Sequence, residues 1–227
     1  MSIAVITFPA SNCDRDAAVA VEALGGRAMF IHHGETSLPG NLDAVILPGG
    51  FSYGDYLRPG CMAAHSPIMR EIKNKAEAGM PVLGICNGFQ LLTEAGLLPG
   101  ALLRNRDLLF IYREVHLLVE RNISPFMHLY RQGAVVTMPI AHKDGNYYVD
   151  AETLKRIEGE GRIVLRYCSA EGNANIDANP NGSLNNIAAL CNGAGNVLGM
   201  MPHPERCADA VLGNTDGEAL LRGLLQA

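Results

Sequence analysis

The chain has 227 residues, with 18 Lys+Arg against 23 Asp+Glu for a formal net charge of −5, and it is 48% hydrophobic and 18% charged. That balance excludes a disordered chain, and the length suits one domain, residues 1–227, with ample apolar mass for a core. The lack of a basic cluster argues against nucleic acid or an anionic membrane as partner, and no apolar run reaches the length of a membrane span.

Met1 to Ile6 has no positively charged leader and runs straight into a strand-like segment, so no signal peptide is expected. Ile3–Phe8 is a short apolar, β-branched run of the kind buried on both faces of a sheet. A loop at Pro9–Asn12 leads to a helix over Asp14–Leu24, closed by Gly25-Gly26. Strands follow at Ala28–Ile31 and Asp43–Leu47, the latter stopped by Pro48-Gly49-Gly50. A helix over Pro67–Ala78, a strand at Val82–Ile85 and a helix over Asn87–Ala95 complete the first half. Alternating strands and helices, with strands apolar throughout, predict a parallel sheet covered on both faces.

The second half reads as β-rich. Val115–Val119, Gly133–Ile140, Asn146–Val149, Ile163–Tyr167, Ile187–Leu190 and Val197–Met200 are strand-like, with few long helices between them. They are expected to extend the first sheet, partly antiparallel. A loop at Pro202–Arg206 and a last helix over Glu218–Leu225 end the chain. No linker and no internal repeat interrupts it.

One segment carries chemistry. Gly84-Ile85-Cys86-Asn87-Gly88-Phe89-Gln90 sets a cysteine between a strand and a helix, with glycines two residues to either side. This is a nucleophile elbow with Cys in place of Ser, in which small neighbours let the backbone turn sharply and expose the side chain at the carboxyl end of the sheet. The helix N-terminus that follows favours an anion, and its free N–H groups can hold a developing oxyanion. A buried cysteine at a strand end is more often a small hydrophobe, and the glycine bracket is what lifts Cys86 above that reading. The other five, Cys13, Cys61, Cys168, Cys191 and Cys207, have no CxxC pairing or activating context and are expected to be inert, reduced thiols of a cytoplasmic protein.

A cysteine nucleophile needs a base, and the base needs an orienter. Of seven histidines, His203 has the best context. Pro202 and Pro204 stiffen its loop, and Glu205 lies two residues on, where alternate side chains of an extended backbone share a face. Taken without Cys86, the same loop reads as a surface histidine beside an ordinary Glu205–Arg206 ion pair.

Gly84–Gln90 and Pro202–Glu205 together resemble the class I (triad) glutamine amidotransferases. Phe8–Asp14, Pro48–Gly60, Pro139–His142, Gly145–Tyr148, Asn179–Ser183 and Gly199–Arg206 narrow the resemblance to the glutaminase subunits of phosphoribosylformylglycinamidine synthases, in their small, separate-subunit form. It covers nearly the whole chain; Asp107–Tyr130 carries no motif of the family. The resemblance implies a flavodoxin-like, doubly wound α/β sheet, mainly parallel with antiparallel extensions. It implies a glutaminase in which Cys86 attacks the glutamine side chain, His203 moves the proton and Glu205 holds His203. The Asn87 and Gly50 N–H groups would form the oxyanion hole, and Gln90 would help bind glutamine. The ammonia would go to a synthetase subunit, completed by a small bridging subunit, for conversion of formylglycinamide ribonucleotide to formylglycinamidine ribonucleotide.

Other readings compete. A peptidase-like or chaperone-like cysteine-elbow protein would share Cys86 but not the Pro-His-Pro-Glu loop. A nucleotide-binding module is disfavoured, because no GxGxxG follows the first strand and no GxxxxGK[ST] occurs anywhere. A non-catalytic subunit would carry an unreactive Cys86. No cofactor and no metal is expected in this chain, which has no phosphate loop, and the resemblance implies that the ATP consumed in amide transfer, with its Mg²⁺, binds the synthetase partner. The segment Phe51–Gly60, with Tyr53, Asp55, Tyr56 and Arg58, suits either site residues or a docking surface.

Overall fold

The computed structural model describes residues 1–122 and 124–227. In chain order the elements are β1 (Ser2–Thr7), α1 (Asp14–Ala23), β2 (Arg27–His32), β3 (Ala44–Leu47), α2 (Pro67–Glu77), β4 (Val82–Ile85), α3 (Asn87–Glu94), β5 (Ala101–Leu103), β6 (Ile111–Val119), β7 (Val135–His142), β8 (Asn146–Tyr148), α4 (Ala151–Gly159), β9 (Ile163–Cys168), β10 (Ile187–Cys191), β11 (Val197–Met200) and α5 (Glu218–Leu224). Short 3₁₀ turns occupy several of the connections.

A nine-stranded sheet in the order β2-β1-β3-β4-β11-β10-β9-β6-β7 forms the centre. Pairing is parallel from β2 through β1, β3 and β4 to β11, and antiparallel from β11 through β10, β9 and β6 to β7. The parallel half with its antiparallel extension is the doubly wound arrangement that the alternating apolar runs predict. Strands β3, β4 and β11 are buried along their whole length. Such burial is stable because helices cover a parallel sheet on both faces.

Two expectations need correction. Asn146–Tyr148 does not extend the main sheet; it pairs with β5 in a separate two-stranded sheet. Helix α4 has no counterpart among the elements expected from the sequence; Asp150 caps it, its carboxylate accepting from the Thr153 N–H at 2.9 Å, and Ile157 anchors it in the core.

Register is what positions the site. In the β4–β11 pair Ile85 lies opposite Met200, and in the β3–β4 pair Gly84 lies opposite Leu47. The three strands therefore end within one residue of one another, with β4 in the middle. The loops after them converge at the carboxyl edge of the sheet, where open α/β folds bind their ligands.

Candidate active site

Cys86 stands between β4 and α3 with φ +51° and ψ −103°, a conformation that L-residues adopt only when their surroundings enforce it. The enforcing bonds are the Cys86 N–H to the Met200 carbonyl at 2.7 Å and the Gln90 N–H to the Cys86 carbonyl at 3.1 Å. The bracketing glycines are required by close approach. A Cβ on Gly88 would sit 2.0 Å from the Leu47 carbonyl oxygen, and one on Gly84 would sit 2.7 Å from the Gly88 carbonyl oxygen. The elbow is thus pressed against both β3 and its own helix.

The loop after β11 supplies His203, which is 1% exposed. Its Nδ1 pairs with Glu205 Oε1 at 2.6 Å, while the Nε2 atom is buried and makes no hydrogen bond. Burial alone would pull the His203 pKa down. The charges of Glu205 and Cys86 outweigh it and hold the imidazole up at about 10. The Cys86 sulfur turns towards the Ala141 carbonyl oxygen at 3.7 Å. Catalytic hydrogen bonds commonly tighten only when substrate arrives, so a resting sulfur beside an unengaged Nε2 is compatible with a nucleophile–base pair.

From the other side, the loop after β3 supplies Gly49 and Gly50. Gly50 has φ +132°, which strongly favours glycine, and a Cβ there would meet the Asn12 backbone nitrogen at 2.7 Å. A Cβ on Gly49 would meet His203 Cε1 at 2.8 Å. Among the described residues neither the Gly50 nor the Asn87 N–H is engaged by another group. Two open N–H groups from loops flanking Cys86 are what a tetrahedral oxyanion needs.

Asn87 also contributes its side chain. Its Oδ1 accepts from the Ser52 N–H at 3.1 Å, and its Nδ2 donates to Gln90 Oε1 at 2.9 Å and Asp55 Oδ1 at 3.3 Å. Gln90 is buried, and its Nε2 donates to the Asp144 carbonyl at 2.6 Å, so its amide braces the site wall and must exchange a protein bond to reach a substrate. In the Phe51–Gly60 segment, Tyr53 bonds His33 and Ser66, and Arg58 forks onto Glu94, so much of that motif anchors the loop. Burial, then repulsion from Asp144, pushes the Asp55 carboxyl up to about 6.

Cys13, expected to be an inert thiol, sits beside the triad, a placement the sequence does not reveal. It lies on the loop after β1, its sulfur accepts from Arg206 Nη2 at 3.1 Å, and with His203 and Glu205 it forms a buried group whose ligand atoms lie within 4.8 Å of one another. Burial dominates its thiol and pushes it up to about 12, although Arg206 opposes. A cation there would face that guanidinium and compete with the His203–Glu205 bond, so the group does not suit a metal. Its proximity to the triad depends on strand order, which no local pattern reveals. His142 is buried; its Nδ1 bonds Asn105 Oδ1 at 3.0 Å, and burial, then repulsion from His203, lowers its pKa to about 4 and keeps the ring neutral.

The model of the CobB/CobQ-like glutamine amidotransferase domain matches residues 1–219. A phosphoribosylformylglycinamidine synthase subunit PurQ of Thermus thermophilus is 56% identical over 100% of this chain and 98% of its own length, and one of Novosphingobium aromaticivorans is 56% identical over 99% and 98%. A chain in the structure of PurLQS from Thermotoga maritima superposes with a TM-score of 0.86 at 40% identity, over 99% of this chain and 97% of that one. With a family model spanning most of its length and full-length relatives at this identity, the chain belongs to the CobB/CobQ-like glutamine amidotransferases.

Proposed function

We propose that this chain is the glutaminase of a phosphoribosylformylglycinamidine synthase, with Cys86, His203 and Glu205 as its triad. Residues 1–227 act as one domain. The observation that carries the reading is His203 itself, buried between the strained Cys86 elbow and a carboxylate 2.6 Å away.

His203 Nε2 takes the Cys86 thiol proton as Sγ attacks the side-chain carbonyl carbon of glutamine, and the Gly50 and Asn87 N–H groups receive the oxyanion. The C–N bond then breaks as His203 Nε2 delivers its proton, so ammonia leaves and a glutamyl thioester remains. Water attacks the thioester and loses a proton to His203, the C–S bond breaks, and glutamate departs as the thiol is restored. Glutamine and water have become glutamate and ammonia. Glu205 keeps the Nδ1 proton in place throughout, which fixes the tautomer in which Nε2 faces the chemistry.

The ammonia is handed to a synthetase subunit, with a small bridging subunit completing the complex, for formylglycinamidine ribonucleotide synthesis in the purine pathway. ATP and Mg²⁺ act on the synthetase, and this chain uses no cofactor. Among the described residues no helix is long and apolar enough to cross a membrane, and the cytoplasm is the proposed compartment. The test is Cys86→Ala in the reconstituted complex. Glutamine-dependent synthesis should vanish while synthesis from free ammonia persists, and a glutamine-like electrophile should label the native chain once, at Cys86. Glutamine-dependent turnover in Cys86→Ala would reject the assignment.

A further inference from the structure

The loop between β1 and α1 supplies no member of the triad, yet it is bonded to both halves of the site. On one side it meets the loop that carries Gly50. The Phe51 N–H donates to the Ala10 carbonyl at 3.2 Å, the Tyr53 N–H to the Pro9 carbonyl at 2.7 Å, and the Cys13 N–H to the Gly49 carbonyl at 3.4 Å. On the other side it meets the loop that carries His203. There Arg206 donates from Nη2 to Cys13 Sγ at 3.1 Å and from Nε to Asp16 Oδ2, on α1, at 3.2 Å. Among the described residues no hydrogen bond runs directly between residues 48–53 and 202–207. The polar connection between the two loops therefore passes through Cys13 and the first turn of α1.

The fit at this junction is close. A Cβ on Gly49 would lie 3.2 Å from Cys13 Sγ as well as 2.8 Å from His203 Cε1, so sulfur, glycine and imidazole stand in one layer. The connecting loop is also held in an uncommon conformation, with Ala10 at φ +64°, which persists only where the surroundings enforce it. Cys13 is buried, and a partly buried guanidinium needs acceptors on its inner side. The thiol stays protonated in its apolar surroundings, so it accepts from Arg206 through a lone pair while its own S–H donates to Asn12 Oδ1 at 3.4 Å. A neutral acceptor holds Arg206 without placing a second negative charge against Glu205. A cysteine that merely filled space would need no such contact.

We propose that Cys13 and Arg206 are positioning residues, whose sulfur–guanidinium contact fixes the loop of the base His203 against the loop of the oxyanion donor Gly50. The inference rests on the glutaminase reading above, which gives His203 and Gly50 those roles. Neither residue touches the reacting atoms; each acts through the loop it holds. Misplacement of reacting groups by about 1 Å costs on the order of 10²-fold in rate, and loss of this one bond with the backbone bonds retained should cost about tenfold.

The experiment measures steady-state glutamine hydrolysis by the reconstituted complex, with denaturant unfolding in parallel. Cys13→Ala removes the acceptor and Cys13→Ser returns one. In Cys13→Ala kcat should fall about tenfold with KM within about twofold of the parent, and Cys13→Ser should recover most of the loss. Arg206→Gln, at a partly exposed position, should lower kcat in the same way and stands in should the Cys13 variants fail to fold. Alkylation of Cys86 by iodoacetamide, read at that residue by mass spectrometry, displaces iodide at a saturated carbon and builds no oxyanion. Its rate should therefore match the parent in every variant. Cys191→Ala, which removes a buried thiol facing the Arg162 carbonyl, should keep the parental kcat. Parental kcat in a folded Cys13→Ala or in Arg206→Gln, or a Cys13→Ser no better than Cys13→Ala, would overturn the proposal. So would a loss of alkylation equal to the loss of turnover, which would place the defect in the Cys86–His203 pair alone. Turnover in Cys86→Ala rejects the glutaminase reading, whereas parental turnover in the Cys13 variants with none in Cys86→Ala rejects this inference alone.

Discussion

Gly88→Ala tests whether close approach at the elbow governs catalysis. The new Cβ would lie 2.0 Å from the Leu47 carbonyl oxygen and 2.7 Å from its carbonyl carbon, both backbone atoms that no rotamer change can move. Restoring ordinary contact needs a separation of about 1 Å between α3 and β3. Leu47 is fully buried and leads within three residues into Gly50, so either partner's retreat pulls Gly50 and Asn87 apart. Alanine gains up to about 1 kcal/mol over glycine in a helix, but overpacking costs about 1–3 kcal/mol, and the clash with rigid backbone sets the balance towards loss. Misplacement of reacting groups by about 1 Å costs on the order of 10²-fold in rate, so kcat should fall by about that factor while the protein still folds. The assay is steady-state glutamine hydrolysis by the reconstituted complex, with denaturant unfolding in parallel. Gly40→Ala, where a Cβ meets nothing within 4 Å, is the neutral control. Parental kcat and stability in Gly88→Ala would refute the reasoning.

Other outcomes follow from the same geometry. Glu205→Gln should lower kcat by less than the roughly 10⁴ seen for the analogous change in a serine-protease triad, because a thiol needs less help than a hydroxyl, and unchanged kcat would reduce Glu205 to an ion-pair residue. His203 is raised from 6.5 to about 10, so its contribution to stability is complete below pH 6.5 and is lost as pH rises through about 10. Unfolding measured across that window should show the decline in the parent chain and a smaller one in Glu205→Gln. Asp55 is likewise raised, from 3.8 to about 6, so it stabilises below 3.8 and loses that contribution as pH climbs through about 6. Asp55→Asn should abolish this step, on the order of 1 kcal/mol after allowance for its partial exposure, and Asn tolerates the positive φ there. The isolated chain should hydrolyse glutamine far more slowly than the complex, and equal rates would show an oxyanion hole already formed without the partner.

The elbow and the histidine loop were legible because each is a local necessity. Gly84, Cys86 and Gly88 are spaced by the turn itself, and Glu205 reaches His203 across two residues. What could not be read locally is adjacency between loops. Cys13 lies beside the triad because β1 neighbours β3, and the β5–β8 pair joins segments over 40 residues apart, with Asn105 and Asn181 bonding Lys143 and Gly145 nearby. Helix α4 was recoverable, since Asp150 and Thr153 have cap spacing and Leu154 and Ile157 lie three apart on one face. The flanking strand-like runs masked it.

The Phe51–Gly60 segment and the oxyanion hole share a backbone. Gly50 runs into Phe51, whose N–H donates to the Ala10 carbonyl at 3.2 Å, and Ser52 then donates to the Asn87 side chain. Asn87 therefore touches both donors: its own N–H is one, and its side chain holds the loop that carries the other. Tyr53, Gly54, Asp55 and Leu57 follow with positive φ, and the segment is fastened by Tyr53 at one end and Arg58 at the other. A partner seated on Tyr56 and Leu57 thus presses on a strained span between two anchors, one residue from the Asn87 bond. We expect docking to select between backbone paths of this span that lie within a few kcal/mol, shifting them by the partner's differential affinity. One oxyanion donor is worth about 10²–10³ in kcat, roughly 2.7–4 kcal/mol, which is the same scale. Docking energy of ordinary size is therefore enough to switch hydrolysis on where the ammonia has somewhere to go.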